Sequence, residues 1–389
     1  MYSIRSYLAG AVAARAGDEM SGPALMLAGF AVTGSATDAA SLLAGITAAA
    51  AVGGPLLGVL LDRAARPGRL LACALALYAA GLGAILMGLG HLPIAISVVI
   101  ALCTGLLGPA LSGGWTAQLP RVVPPAKLPR ANAFDAMTFS VASLAGPALA
   151  GGVAELLGAP TAVVVAVALI GFAVPSAWTL PARPPSREAG SLLAGARVMI
   201  ANRPLFRATL VSVICCTAEG MLVGCLPLLG LRVLGDADRG ALLLSCAAAG
   251  ALAANAVLAR RPRSPGTVVW ASALLQAAAF ALAAVDHAAV LVAAMLLVGI
   301  GQGPQLTALF AIRHREAPER LRSQIFTTGA SLKITGFALG AAIAGPLATR
   351  SLTAALILAA TLAALAALTW SRSPRGSRGP RSCASAPSS

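Results

Sequence analysis

Long apolar stretches separated by short charged breaks run through most of the chain. A helix needs about 20 apolar residues to cross the hydrocarbon core of a bilayer. Cutting the sequence at its charged residues leaves nine uninterrupted stretches of about this length. Three further stretches, 6–37, 208–231 and 323–349, have the length but contain charged residues. The pattern therefore predicts an all-α polytopic membrane protein with twelve transmembrane helices.

The composition excludes most soluble classes of protein. Only 11% of the 389 residues are charged and 58% are apolar, whereas soluble domains carry about 25% charged residues. The net charge of +15 reflects the orientation of the chain in the membrane, because 23 of the lysines and arginines fall on one side of the predicted membrane and three on the other. By the positive-inside rule both termini are cytoplasmic, in a multi-pass protein of the cell (inner or plasma) membrane. We expect a lipid bilayer as partner, and no nucleic acid.

The longest polar connection lies near the middle of the chain, and the two sides of it share features. A Gly-Pro element around Pro109 in the fourth span recurs around Pro304 in the tenth. Pro125 before the fifth span corresponds in the same way to Pro318 before the eleventh. The repeat predicts two six-helix pseudo-symmetric bundles, an organisation typical of secondary transporters. The predicted parts are an N-terminal bundle (1–182), a cytoplasmic linker with an interfacial helix (183–205), a C-terminal bundle (206–371) and a disordered basic tail (372–389).

A motif after the second span resembles a known signature. Gly58, Asp62, Arg63 and Arg66 stand in the order Gly-x-Leu-x-Asp-Arg-x-x-Arg. This resembles the motif that major facilitator superfamily transporters carry between their second and third helices, although Ala65 replaces a glycine common there. The resemblance implies a conformational latch between the two halves on the cytoplasmic side. The candidate partners of this latch precede the eleventh span: Glu316, Glu319, Arg320 and Arg322.

The fifth span contains a second motif of this kind. Gly146, Pro147, Gly151 and Gly152 resemble the Gly-Pro-x-x-Gly-Gly signature of the proton antiporters in the same family, with one extra residue before the glycine pair. The resemblance implies a twelve-helix, drug-efflux-like transporter. It also implies that helices one, four, seven and ten line a central cavity.

Five charged residues lie inside predicted spans. They are two basic residues, Arg15 and Lys333, and three acids, Asp18, Glu19 and Glu219. One interpretation is an intrahelical ion pair, because Arg15 precedes the first two acids by about one helical turn. However, two basic partners cannot neutralise three acids, and low dielectric disfavours an unpaired carboxylate in its charged form. Asp18, Glu19 and Glu219 are therefore proton-coupling candidates, with Arg15 and Lys333 as charge partners.

Two other acids of the fifth span, Asp135 and Glu155, are predicted to be interfacial because they lie near its ends. Gly/Pro breaks at matching places of two halves indicate a binding site, and the fourth and tenth spans contain such breaks. The polar and aromatic neighbours of these breaks, with one residue of the eighth span, are the substrate-cavity candidates: Ser112, Trp115, Thr116, Asn255, Gln302 and Gln305.

These features favour a secondary active transporter that exports small amphipathic molecules by alternating access, as a proton-coupled efflux antiporter. The alternative is a facilitator or importer of a polar, sugar-like metabolite on the same fold. An intramembrane hydrolase is disfavoured because Ser112 lacks the Gly-x-Ser-Gly context and no His-Glu-x-x-His motif occurs. We expect no enzymatic activity, no cofactor or metal, a proton gradient as energy source, a small-molecule substrate and a monomer.

Overall fold

The computed structural model describes residues 3–182, 191–236 and 239–371, which form helices and turns without a strand. The first half contains six helices, α1 (Ile4–Thr33), α2 (Ala36–Arg63), α3 (Pro67–Gly88), α4 (Ile94–Gly105), α5 (Leu128–Leu157) and α6 (Ala159–Trp178). The second half contains a short helix, α7 (Ala194–Ala201), and six long ones, α8 (Arg203–Leu234), α9 (Arg239–Arg260), α10 (Pro265–Leu282), α11 (Ala288–Glu316), α12 (Arg322–Arg350) and α13 (Leu352–Ser371). The tail 372–389 and the beginning of the linker, 183–190, lie outside the described residues.

The predicted membrane architecture is confirmed. Eleven helices of the described part of the chain are long and apolar enough to cross a membrane. The twelfth long helix, α1, has 30 residues but includes Arg15, Asp18 and Glu19, which lower its hydropathy. Half-buried or buried residues nevertheless dominate α1, because it packs against α2, α5 and α6 inside the first half.

Each half has its own apolar core. One cluster of buried side chains extends from Tyr7 to Leu180 and a second from Met199 to Ala367. A third, smaller cluster lies between the halves and includes Phe310 and Phe326. The two halves are therefore separately packed bodies that meet along α2 with α12 and along α5 with α9.

Small residues allow α2 and α12 to approach closely. A Cβ atom at Gly54 or Gly58 would overlap atoms of α12, among them the backbone carbonyl of Thr327 and the Cα atom of Gln324. Ser331 of α12 uses this proximity, since its hydroxyl donates to the Ala50 carbonyl at 2.7 Å and accepts from the Gly54 N–H at 3.1 Å. Both glycines are thus required by backbone packing between the halves.

The two Gly/Pro elements differ in structure, although the sequence suggests similar breaks. In the first half α4 ends at Gly105 and a π-helical turn follows at Ala110–Gly114. In the second half α11 continues through Pro304 without interruption. The prediction of matching breaks is therefore correct for the fourth span and wrong for the tenth, because the missing N–H of one proline is accommodated within a 29-residue helix.

The short helix α7 defines the two ends of the molecule. It packs against α8 and α12, and its residue Ile200 is exposed, as are Leu192 and Leu193 just before it. Gln324 of α12 accepts from the Gly195 N–H at 2.9 Å and donates to the Leu192 carbonyl. We call this the linker end of the molecule and the opposite one the far end.

Candidate substrate cleft and gate

A cluster of acids lies between α1 of the first half and α8 of the second. The carboxylate of Glu19 interacts electrostatically with those of Asp18 and Glu219, and Glu219 interacts with Lys333 of α12. The side chain of Glu19 is exposed, whereas those of Asp18, Glu219 and Lys333 are half-buried. Since α1 and α8 belong to different halves, the cluster faces the space between the halves, which we call the central cleft.

The acids of the cleft have different partners. Tyr78 of α3 donates to Asp18 Oδ1 at 2.7 Å, and Gln302 of α11 donates to Glu219. Within the described residues Glu19 forms no hydrogen bond or ion pair, and neither acid of α1 lies within ion-pair distance of Lys333. Glu19 is therefore the acid of the cleft with the least compensation. Tyr78 was not predicted, since a lone tyrosine in an apolar helix carries no pattern that identifies its partner.

The glycines of the fifth-helix motif have two different environments. A Cβ atom at Gly146 would lie 2.6 Å from Glu19 Cβ and 2.9 Å from the Met20 backbone nitrogen. Gly146 thus lets α5 approach α1 at the level of the acids. Gly151 and Gly152, further toward the far end, face open space. The exposed Pro147 lies between these two environments.

Arg15 points away from the cleft acids. Its Nη1 donates to Asp135 Oδ1 of α5 at 3.0 Å, and the two side chains are 2% and 0% exposed. Side chains of a helix lean toward its N-terminus, so Arg15 leans toward the linker end, where Asp135 lies. The interpretation of Asp135 as interfacial is wrong, and an intrahelical pair of Arg15 with Asp18 or Glu19 does not form.

Further donors and a ring surround this buried ion pair. Thr116 and Tyr7 donate to the Asp135 carboxylate at 2.8 and 3.0 Å. Arg15 also lies 3.7 Å from the centre of the Phe139 ring and contacts Thr138. A sequence signal for the site existed in α5, where the polar residues Asn132, Asp135 and Thr138 recur every three residues and so share one face of the helix. Because Asp135 pairs with Arg15, that guanidinium forms no ion pair with a cleft acid, and Lys333 interacts with Glu219.

The substrate-cavity candidates are not brought together. Gln302 lies in the cleft beside Glu219. Gln305 and Asn255 are buried inside the second half, where they contact Cys215 Sγ at 3.4 Å and Thr307 Oγ1 at 2.8 Å. The other three lie in the first half. They are the half-buried Ser112 in the π-helical turn, Trp115 with its ring centre 5.9 Å from that of Tyr7, and Thr116 beside Asp135.

Trp115 and Thr116 therefore do not border the cleft in this conformation. Both side chains are fully buried, and a Cβ atom at Gly10 would lie 2.7 Å from the Trp115 ring. The expectation that Trp115 lines the substrate cavity does not agree with this packing. The reason is that Gly10, which has no side chain, lets α1 pack directly against the ring. The sequence alone did not predict this close approach.

The predicted latch motif meets α12. The Asp62 carboxylate accepts from the backbone N–H groups of Ser323 at 3.0 Å and Gln324 at 2.8 Å. These are among the first N–H groups of α12, which have no partner within the helix and carry the positive end of the helix dipole. Arg63 and Arg66 are exposed beside it. The latch contact therefore includes backbone groups of the two residues that follow Arg322, the last residue of the charged cluster, and Glu316 of that cluster pairs with Arg315.

More contacts between the halves lie toward the linker end. The rings of Phe139, Phe310 and Phe326 form a chain, with centres 5.9 and 5.8 Å apart. His314 of α11 contacts Asn132 and the Thr116 carbonyl. Together with the Asp62 contact, these residues close the space between the halves below the cleft. We call the Phe139–Phe310–Phe326 chain, His314 and Asp62 with their partners the linker-end gate.

Membrane-spanning helices in two bundles with a central cleft define a secondary transporter, and comparison with known proteins identifies its family. Residues 7–341 match the model of the Major Facilitator Superfamily. The chain belongs to this family of transporters, as the sequence motifs predicted. A relative, the uncharacterized MFS-type transporter y4rN of Sinorhizobium fredii (strain NBRC 101917 / NGR234), is 32% identical over 285 residues, 69% of each chain.

Several solved structures share the fold. The human organic anion transporter MFSD10 (TETRAN) superposes with a TM-score of 0.78 at 16% identity, over 95% of this chain and 99% of that one. A bacterial homologue of the iron transporter ferroportin in an outward-facing state gives 0.76 at 16% identity, with 95% and 99% coverage. The E. coli fucose:proton symporter FucP gives 0.72 at 14% identity, with 95% and 97% coverage. At these identities the likeness is one of fold.

Proposed function

We propose that the protein is a proton-coupled exporter of small amphipathic molecules that works by alternating access. In this proposal the linker end and both termini are cytoplasmic, which the one-sided distribution of lysine and arginine favours. The bundles 1–182 and 206–371 rock against each other in a monomer, with the proton gradient as energy source and without cofactor or enzymatic activity.

The acid excess of the cleft is the observation that carries the proposal. Asp18, Glu19 and Glu219 form the cluster, Lys333 interacts with Glu219, and Arg15 is held by Asp135. Uncompensated charges inside a membrane protein are expensive and mark functional positions. Like charges at short range also disfavour simultaneous ionisation. A proton taken up at Glu19 and released on the other side would use both effects.

The contacts between the halves supply the conformational part of the proposal. The gate residues hold the two halves together at the linker end. A gate that is closed at the linker end corresponds to one of the two states of alternating access. The other state requires Asp62 to leave the N-terminus of α12 and the aromatic chain to separate.

Proteoliposomes with an imposed pH gradient provide the test. We expect Glu19→Gln to abolish gradient-driven accumulation of a cationic dye, with smaller losses for Asp18→Asn and Glu219→Gln. Exchange of dye across the membrane without a gradient should survive in Glu19→Gln, because only the proton step is lost. Glu155→Gln is the matched control, since Glu155 is an exposed acid at the end of α5. Unchanged gradient-driven flux in all three cleft variants would refute proton coupling.

One observation favours the alternative, a facilitator or importer of a polar metabolite. The Gln302 amide faces the cleft beside Glu219, and amide–carboxylate pairs suit hydroxyl-rich substrates. FucP, which shares the fold, is a fucose:proton symporter. Counterflow assays that compare labelled sugars with cationic dyes distinguish the two. Sugar counterflow that Gln302→Leu abolishes, without dye transport, would replace the exporter proposal by this one.

A further inference from the structure

His314 makes a contact between the halves that neither the motifs nor the acid cluster explains. Its ring lies at the linker end of α11 and is 6% exposed. Nδ1 is 2.9 Å from Asn132 Oδ1 of α5, and Nε2 is 3.2 Å from the Thr116 carbonyl oxygen. The ring also packs on Phe326, with centres 4.5 Å apart. One side chain of the second half is thus held by two groups of the first.

The hydrogen-bond geometry defines which groups hold the ring. A carbonyl oxygen can only accept, so Nε2 carries a proton and donates to Thr116. The amide of Asn132 can present either its oxygen or its NH2 group to Nδ1 by rotating through half a turn. The contact therefore needs a ring with nitrogen at both positions, which phenylalanine lacks and glutamine only partly replaces.

Thr116 connects this contact to the buried ion pair of the first half. Its carbonyl accepts from His314, while its hydroxyl contacts Asp135 Oδ2 and Arg15 Nη2, both at 2.8 Å. Arg15 lies one turn before Asp18 on α1 and interacts with it electrostatically. Thr116 thus links the buried ion pair to His314 at the surface where the two halves separate, and Asp18 acts on that pair only through its charge, one helical turn along α1.

We propose that His314 is a positioning residue that couples the charge of the α1 acids to the linker-end gate. A negative Asp18 competes with Asp135 for Arg15, and a neutral one leaves Arg15 wholly to Asp135, which steadies Thr116 and the His314 contact. The gate is therefore harder to open when Asp18 is neutral. This inference rests on the proposed function only for the origin of the charge change, namely a proton.

Thiol accessibility measures gate opening without substrate or gradient. Ala136 is 1% exposed and belongs to the apolar cluster between the halves, so Ala136→Cys in a chain whose native cysteines are replaced introduces a thiol that reacts only when the gate opens. The probe is a membrane-impermeant maleimide added from the linker side of oriented vesicles. Ala173→Cys in α6, 0% exposed within the first half, reports loss of folding and should stay unlabelled.

A double-mutant cycle in the Ala136→Cys chain compares four proteins: the parent, His314→Phe, Asp18→Asn and the double variant. Loss of two hydrogen bonds in His314→Phe, which keeps the ring packing, should raise the labelling rate by about tenfold. Asp18→Asn alone should lower the rate, and in the His314→Phe background it should have no effect. His314→Gln keeps one donor and should lie between the parent and His314→Phe. Glu155→Gln, the matched charge control, should leave labelling unchanged.

Two results would overturn the inference. One is an unchanged labelling rate in His314→Phe with the Ala173→Cys control unlabelled, and the other is strict additivity of Asp18→Asn and His314→Phe. Non-additivity is the diagnostic result, because sites that do not share a network contribute independently. If transport proves independent of protons while the cycle remains non-additive, the exporter proposal fails and the coupling of Asp18 to the gate stands.

Discussion

Replacing Asp135 by leucine removes the counter-charge of a guanidinium that is 2% exposed. The carboxylate accepts from Arg15, Thr116 and Tyr7 at 2.8–3.0 Å, so its loss also leaves the two hydroxyl groups with only their longer contacts, to backbone carbonyls at 3.2 and 3.3 Å. Breaking a buried pair by removing one partner costs about 3–5 kcal/mol. Each kcal/mol lowers the midpoint of thermal unfolding by about 2–4 °C in a domain of this size, which predicts a decrease on the order of 10 °C for Asp135→Leu.

The double variant tests whether the unpaired charge is the cause. Replacing both partners of a buried ion pair by apolar residues of similar volume is often neutral. Arg15→Met keeps an apolar stem over the Phe139 ring, which Arg15 approaches to 3.7 Å. Arg15→Met with Asp135→Leu should therefore recover most of the stability that Asp135→Leu loses.

Thermal unfolding of the protein in detergent, followed by tryptophan fluorescence, measures the effect. Trp115 lies beside this network, with its ring 5.9 Å from that of Tyr7. The measurement uses a chain in which Trp270 and Trp370 of the second half are replaced by phenylalanine, so that the signal reports the first half. Glu155→Leu, which changes an exposed acid of the same helix, should shift the midpoint little. A double variant as unstable as Asp135→Leu would refute the reasoning, as would an unchanged midpoint in the single variant.

Two further predictions concern the gate. Asp62→Ala removes the acceptor of two N–H groups of α12. This should destabilise the closed gate by about 0.5–2 kcal/mol, as the loss of an N-cap side chain does. We expect faster maleimide labelling of Ala136→Cys, and unchanged labelling would contradict the prediction. Gly54→Ala places a Cβ atom against the Thr327 backbone and should also speed labelling, whereas Gly83→Ala, whose Cβ atom would meet no other atom within 4 Å, should not. Equal rates in the two glycine variants would argue against close packing of α2 on α12 as the reason.

The linker-end gate and the acid cluster depend on different physical interactions. The gate consists of apolar rings and hydrogen bonds to backbone groups, which depend on the two halves being in contact. The acids Asp18 and Glu19 depend on local dielectric and on neighbouring charges. The proposed proton-coupled transport needs both kinds of interaction, since protons act on charges while alternating access moves whole bundles. Arg15 and Thr116 are placed where the two kinds meet.

Much of the architecture follows directly from one-dimensional patterns. Span number depends on the length of apolar stretches, and a bilayer sets that length independently of tertiary contacts. The motif around Asp62 and the paired Gly/Pro elements likewise identify a family and its two bundles, because each is local in sequence. The acids of α1 and α8 could be selected as functional candidates for the same reason, since a charge inside an apolar stretch is visible without a structure.

Pairing and exposure, by contrast, were decided by the tertiary structure. Arg15 is three residues from Asp18 in the chain but pairs with Asp135, 120 residues away, because the direction of its side chain and the close approach of α5 place that carboxylate within 3.0 Å. Trp115 was expected to line the substrate cavity, but its side chain lies in the packed interior of the first half. Local sequence determines which residues enter the membrane; the packing of the helices determines which charges remain uncompensated there, because compensation depends on distances between side chains remote in sequence.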